Sequence, residues 1–295
     1  MKLPTVEEYV EIIQSFIEIS KTEKESSKLN LPFNSIRIGN VIFLKSTSTE
    51  RITVIGDLHG DYLTLHNILS KFRSSDLIVF LGDYVDRGPW KDQILTVYTL
   101  LKSKLDGMPI VMLRGNHEAP TGLEPAGQDF PYAILEYYGD DAGVLIDLHK
   151  RLWDSLPHAL VIEGVALLLH GGPPTIKLDS PTNEYLGGVV ESKDVLEEIL
   201  WNDPIEDDVI RKPNPRGAGS LWGRPVTEIA LGKINGKLII RGHQPALKGY
   251  SWSHKGRVLT LFSSKIPVYG LDNAGVLSCG VDEISPECRD CIDFV

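Results

Sequence analysis

Ile52-Thr-Val-Ile55 runs into Gly56-Asp57-Leu58-His59-Gly60, and Leu77-Ile-Val-Phe-Leu81 runs into Gly82-Asp83-Tyr84-Val85-Asp86-Arg87-Gly88. Pro109-Ile-Val-Met-Leu113 then runs into Arg114-Gly115-Asn116-His117-Glu118. Short apolar runs rich in β-branched residues, alternating with helical patterns, predict strands of a largely parallel sheet. Ligands of such sheets bind beyond the carboxyl ends of the strands. All three polar bursts sit at such ends, so Asp57, His59, Asp83, Asn116 and His117 can converge. A single Gly-Asp pair is also what an ordinary turn after a strand looks like. Three successive bursts of ligand-type residues argue for a metal centre.

Carboxylate, imidazole and amide donors suit borderline or hard divalent ions such as Mn²⁺, Fe²⁺ or Zn²⁺. Asp57 and His59 are two apart and point the same way in extended chain. Gly56, Gly82 and Gly115 each precede a first ligand and allow a close backbone approach.

Working outward, Thr5 to Ser20 predicts an amphipathic helix with Thr5 and Glu8 as a capping box. Lys21 to Asn30 is polar and reads as an exposed loop. Ile36 to Leu44 reads as a hairpin turning at Gly39-Asn40. Helices are expected at 62–72 and 92–105, with right-handed crossovers between the parallel strands. Residues 119–157 look mainly helical, broken near Pro125 and Gly139. Val161 to Leu169 reads as a strand pair around Glu163-Gly164, ending at His170. Further strands are expected at Leu238–Arg241, Arg257–Phe262 and Val268–Leu271. His170 and His243 both follow strand ends, which adds them to the ligand set. Six ligands exceed what one ion needs, and suit two ions bridged by Asp83.

The three bursts match the signatures GDxHG, GDYxDRG and GNHE of the PPP family of metal-dependent serine/threonine protein phosphatases. That family lies within the calcineurin-like metallophosphoesterase superfamily. Further along, Leu200-Trp-Asn-Asp-Pro204 resembles the family's LWSDP. Arg216-Gly-Ala-Gly-Ser-Leu-Trp-Gly223 resembles RGxGxxFG, and Arg241-Gly-His-Gln244 resembles RGHQ. Phe262-Ser263 to Tyr269-Gly270 resembles FSAPNYCG imperfectly: the intervening stretch is longer, lacks the Asn, and puts the charge of Lys265 beside the site.

The resemblance implies an α/β fold, a central two-sheet β-sandwich flanked by helices. It implies one catalytic domain over 1–295, with a helix and hairpin at 1–50, a core at 51–282 and a tail at 283–295. It implies hydrolysis of phosphoserine and phosphothreonine esters on proteins by a dinuclear site, manganese before iron or zinc, through a metal-bridging hydroxide. The metal ligands are then Asp57, His59, Asp83, Asn116, His170 and His243. Arg87, Asn116, Arg216 and Tyr269 bind the substrate phosphate. His117 is the general acid, and Asp86 its hydrogen-bonding partner. A nucleotide or dinucleotide polyphosphate hydrolase on the same core is the alternative, and an idle phosphoprotein-binding module a further one. The partners implied are phosphoproteins or phosphopeptides; no motif identifies a regulatory subunit.

The net charge of −10 argues against general nucleic-acid binding. No apolar run approaches the ~18 residues of a membrane span. The first residues carry no apolar signal core, so a cytoplasmic protein is expected. The cysteines, Cys279, Cys288 and Cys291, number three and lie near the end. They form no secreted disulfide framework, and they are expected to be unpaired thiols. None is followed six residues on by arginine, which removes a Cys-x₅-Arg phosphate loop.

Overall fold

The computed structural model describes residues 2–29, 34–45, 51–188, 192–286 and 288–295. The chain opens with helix α1 (Val6–Ser26), whose Thr5 and Glu8 close the expected capping box. The helix runs on through most of the expected loop. Its last turns are anchored by Glu23, which pairs with Lys104 and Arg37, while Arg37 also bonds the Ser20 hydroxyl. Asn30 lies outside the described residues.

The hairpin forms as read, from β1 (Asn34–Ile38) and β2 (Val41–Lys45). Then come β3 (Arg51–Ile55), α2 (Tyr62–Lys71), β4 (Leu77–Phe80), α3 (Trp90–Leu105) and β5 (Ile110–Met112), with the three strands parallel. Helices α4 (Phe130–Tyr138) and α5 (Ala142–Ser155) are separated at Gly139, and β6 (Ala159–Ile162) and β7 (Ala166–Leu169) are antiparallel. The second half adds α6 (Thr182–Tyr185), α7 (Lys193–Trp201), β8 (Asp203–Pro204), β9 (Arg211–Pro213), β10 (Ser220–Trp222) and α8 (Arg224–Ile234). It ends with β11 (Leu238–Arg241), β12 (Tyr250–Ser253), β13 (Val258–Leu261), β14 (Gly275–Gly280) and β15 (Ile292–Phe294).

Two larger sheets result, in the orders β1-β2-β6-β7-β11-β13-β12 and β15-β14-β3-β4-β5. Ile52, Val54, Leu77 and Val79 face Ile42, Leu160, Leu168 and Ile240 in one apolar layer between them. The opposite face of β3, β4 and β5 packs on α1 to α5, and that of the larger sheet on α7 and α8. The expected two-sheet sandwich with flanking helices is therefore the fold. Alternate residues of β4 serve different layers: Leu77 and Val79 point into the sandwich, Ile78 and Phe80 toward the helices. That accounts for its unbroken apolar run.

Two further local expectations fail. Val268–Leu271 is no strand; Pro267–Tyr269 forms a 3₁₀ turn, because Pro267 offers no N–H to a ladder. The strand comes later, as β14, antiparallel to β3. The tail thiols are not all free. A 3₁₀ turn at Arg289–Cys291 brings the Cα atoms of Cys288 and Cys291 to 5.6 Å, and the two are joined as a disulfide. Cys279 remains a free, buried thiol. Among the described residues no helix is long and apolar enough to cross a membrane.

Candidate active site

The carboxyl ends of β3, β4, β5, β7 and β11 meet at one edge of the sandwich, so both sheets deliver side chains to one place. A single bridge between Asp57 and Phe262 and the bond from Gly242 N–H to the His170 carbonyl tie the strand ends together. The backbone there is bent hard. His59, Asp83, Asp86, Arg87 and His243 all have positive φ, from 47° to 73°. Non-glycine residues rarely adopt this region, and such strain collects at functional sites. A Cβ at Gly115 would lie 2.3 Å from both the amide nitrogen and Oδ1 of Asp83. The close approach expected of that glycine is what the packing requires.

Asp83 belongs to two clusters. On one side His59 Nε2 lies 3.5 Å from Asp83 Oδ2 and 3.8 Å from Asp57 Oδ2. On the other, the Asn116 side-chain oxygen sits 2.9 Å from His170 Nε2, 3.0 Å from His243 Nδ1, and 3.1 and 3.2 Å from the two oxygens of Asp83. All six proposed ligands are thus brought together.

The ring protons of two of the histidines point elsewhere. His59 Nδ1 lies 3.0 Å from the Val85 carbonyl and His170 Nδ1 3.1 Å from the Leu81 carbonyl, which places each ring N–H on that side. The opposite nitrogens present lone pairs to carboxylates. Burial, then repulsion from His117, pushes His59 down to about 3, and burial holds His170 and His243 well below the ordinary histidine value. Burial raises Asp57 to about 7, and burial followed by the charge of Asp57 raises Asp83 well above its usual value. Asp57 Oδ2 has no hydrogen-bond partner.

Burying these carboxylates side by side is costly, which is why they are pushed toward their protonated form. Divalent cations remove that cost, and oxygen and imidazole donors of this kind fit them. Asp57, His59 and Asp83 would hold one ion, and Asp83, Asn116, His170 and His243 the other.

His117 stands beside both clusters, its Nε2 3.9 Å from Asp83 Oδ2 and its Nδ1 2.6 Å from Asp86 Oδ2. The other Asp86 oxygen accepts the amides of Asp129 and Phe130, each at 2.8 Å. A cleft of about 240 Å³ opens over these groups, lined also by Arg87, Arg216, Trp201 and Tyr269. Tyr269 comes to the site despite the altered loop, its ring centroid 5.4 Å from that of His59. Lys265 is not among the residues lining the cleft, and its backbone N–H bonds Asp61 Oδ2.

Three supporting residues were not singled out from the sequence. Glu118 accepts the amides of Asp83, Tyr84 and Gly115 and so sets the turn carrying the shared carboxylate. Its place beside His117 in the third burst was the available signal. Asp203 accepts Arg216 Nε at 2.8 Å on one oxygen and Arg241 Nη2 at 3.0 Å on the other. Arg241 is fully buried and also bonds the Gly171 and Asn202 carbonyls, fixing Asp203 in turn.

Similar solved structures include one that shares the fold and two weaker matches. A protein serine/threonine phosphatase from Saccharomyces cerevisiae, with similarity to human phosphatase PP5, superposes with a TM-score of 0.75 at 22% identity, over 99% of this chain and 89% of that one. A putative diadenosine tetraphosphatase gives a TM-score of 0.49 at 18% identity, over 87% of this chain and 97% of its own. A cold-active protein-tyrosine phosphatase of Shewanella gives 0.48 at 17% identity, over 83% and 78%. The sequence model of the calcineurin-like phosphoesterases matches residues 50–247, two-thirds of the chain and all six converging ligand positions, and the chain belongs to that family.

Proposed function

We propose that this phosphoesterase hydrolyses phosphoserine and phosphothreonine esters on proteins, with two divalent ions, manganese in the first place. The observation that carries the reading is the pairing of two features around one cleft. Asp83 is common to both ligand clusters, and His117 and two arginines border the same space.

Bound at these ligands, two divalent ions would supply an activated water near neutral pH and charge for the phosphoryl oxygens. The protein groups do the rest. Arg87 and Arg216 take phosphate oxygens through forked hydrogen bonds. Asp203 engages Nε of Arg216, which leaves its terminal nitrogens for the substrate. The leaving alkoxide of serine or threonine is strongly basic and needs a proton. Asp86 holds Nδ1 of His117, so Nε2 is the atom that gives it. Asn116 and Tyr269 complete the wall against which the phosphate sits.

The test is a comparison of phosphopeptides with dinucleotide polyphosphates, with and without added Mn²⁺. Metal-dependent turnover of phosphopeptides at a kcat/KM well above that of the nucleotides is expected. The reverse order would move the chain to nucleotide hydrolysis. Binding of phosphopeptides with no turnover of either would make it a recognition module.

A further inference from the structure

We propose that Trp222, Thr227 and His254 form a buried relay that positions Arg216 for the substrate phosphate, acting through Arg241 and Asp203; this rests on the assignment of Arg216 to that phosphate. None of the three lines the catalytic cleft.

The three come from β10, α8 and the turn after β12. Trp222 Nε1 lies 3.0 Å from Thr227 Oγ1, which lies 2.7 Å from His254 Nδ1. On the other side of the ring, His254 Nε2 lies 2.7 Å from the Ile205 carbonyl. One arrangement of protons satisfies every group. The carbonyl can only accept, so Nε2 carries the histidine's proton. Burial holds His254 below the ordinary histidine value, so the ring is neutral and Nδ1 is bare. Thr227 gives Nδ1 its hydroxyl proton and receives the indole N–H. Trp222 and Thr227 are fully buried and His254 is 2% exposed. Water cannot replace a lost link there, so breaking one disturbs its neighbours. The turn holding His254 is strained, with φ of 51° there and 56° at Lys255. Such backbone persists only where its surroundings over-determine it.

Two routes run from this relay to Asp203. In the first, the guanidinium carbon of Arg241 lies 5.9 Å from the centre of the Trp222 ring, and Arg241 bonds Asp203 Oδ1. The ring has no freedom to drift toward β7, since a Cβ on Gly172 would already lie 2.2 Å from it. In the second, Ile205 is held at both ends: its N–H donates to the Trp222 carbonyl, and its carbonyl accepts His254 Nε2. Ile205 stands two residues after Asp203. From Asp203 a single bond of 2.8 Å reaches Nε of Arg216. Phenylalanine, the residue of the RGxGxxFG signature at the position of Trp222, has a ring to set against Arg241 but no N–H to enter the relay.

The experiment is calorimetric titration of the full-length, Mn²⁺-supplemented protein with inorganic phosphate, which reads the clamp without any assay of turnover. Thr227→Val, nearly equal in size, should weaken phosphate binding roughly fivefold, the scale of one hydrogen bond. Thr227→Ser keeps the hydroxyl and should bring the affinity back to within about twofold of the parent. In an Arg216→Ala background, itself weaker, Thr227→Val should cause no further loss, because the relay acts through that arginine. Trp222→Phe, which keeps a ring and loses the N–H, should repeat the pattern and serves if Thr227→Val does not fold; circular dichroism would check each variant. Variants that lower Tm while phosphate affinity stays at the parent value would overturn the proposal, since the relay would then only hold the fold. So would an equal loss in the Arg216→Ala background. If Arg216→Ala alone left phosphate binding unchanged, the assignment of Arg216 would fall and the relay's role with it.

Discussion

Asp86 Oδ2 lies 2.6 Å from His117 Nδ1, while Asp86 itself is 0% exposed and its second oxygen is held by two backbone amides. The carboxylate is thus fixed by the fold before it touches the histidine, and the ring takes its orientation from it. Only Nε2 of His117 is left to face the cleft.

Replacing the ring tests its use as acid. His117→Asn removes a proton donor and no proposed metal ligand. The expected loss in kcat on a phosphoserine peptide is about 10²–10⁴-fold. The loss should be much smaller on an aryl phosphate, whose leaving group is less basic. Equal losses on both would mean that His117 shapes the site without donating a proton.

Asp86 also carries a pH signature. Burial by itself would raise this carboxyl, but the hydrogen bond and charge of His117, with the Phe130 and Asp129 amides, hold it below its usual value. A carboxyl depressed in the folded state contributes stability above its unfolded value of about 3.9. That contribution is lost as pH falls through the folded-state value. Asp86→Asn should therefore lower Tm at pH 7, and the gap to the parent should close below about pH 4. A gap that stays constant from neutral to acid pH would show that the charge adds nothing.

Much of this site was legible because its ligands follow strands that can be read locally. Asp57, Asp83 and Asn116 each stand just past a β-branched run, and His170 and His243 repeat that pattern. What was not legible depends on partners distant in sequence. The last turns of α1 are polar, and their anchors, Arg37 and Lys104, come from a hairpin and from α3. Asp203 looks like any acid after a helix until Arg241, 38 residues on, is placed against it. Strand β14 has glycines at both ends and is specified by pairing with β3 across more than 200 residues. Local pattern reads elements; long-range pairing decides which polar side chains support the site.

The shared carboxylate gives a metal prediction. Asp83→Asn halves the carboxylate charge of one cluster and removes that of the other with little change in side-chain size, and it leaves the apolar layers intact. Bound Mn²⁺ per chain should fall, and turnover should drop below detection, with the far-ultraviolet circular dichroism unchanged. Two tightly retained ions with normal turnover would remove Asp83 from the bridging position.

Asp203 separates phosphate binding from chemistry. Asp203→Asn keeps a single acceptor oxygen; with that oxygen on the buried Arg241, the bond to Arg216 is lost. The expected result is a rise in KM and in the inhibition constant of inorganic phosphate, about tenfold each, for loss of one charge-assisted bond. A fall in kcat with KM unchanged would instead place Asp203 in the chemical step.

The tail carries the last prediction. Cys288 and Cys291 are joined across three residues, and the following strand β15 pairs with β14, which pairs with β3 just ahead of Asp57. Cys279 sits within β14, 5% exposed, and burial pushes its thiol up to about 12. A buried, protonated thiol is a poor nucleophile. Native protein, never exposed to reductant, should therefore react hardly at all with a thiol reagent at pH 8. In denaturant one thiol should appear, that of Cys279, and three after reduction. Three thiols in unreduced, denatured protein would show that the Cys288–Cys291 pair is open. The count should be run beside the activity assay: Cys291 lies against Glu283, past the end of β14 that pairs with Arg51 and so at the opposite end of β3 from Asp57, and opening the pair with a mild dithiol should leave turnover unchanged while the C-terminal strand loses protection from hydrogen exchange.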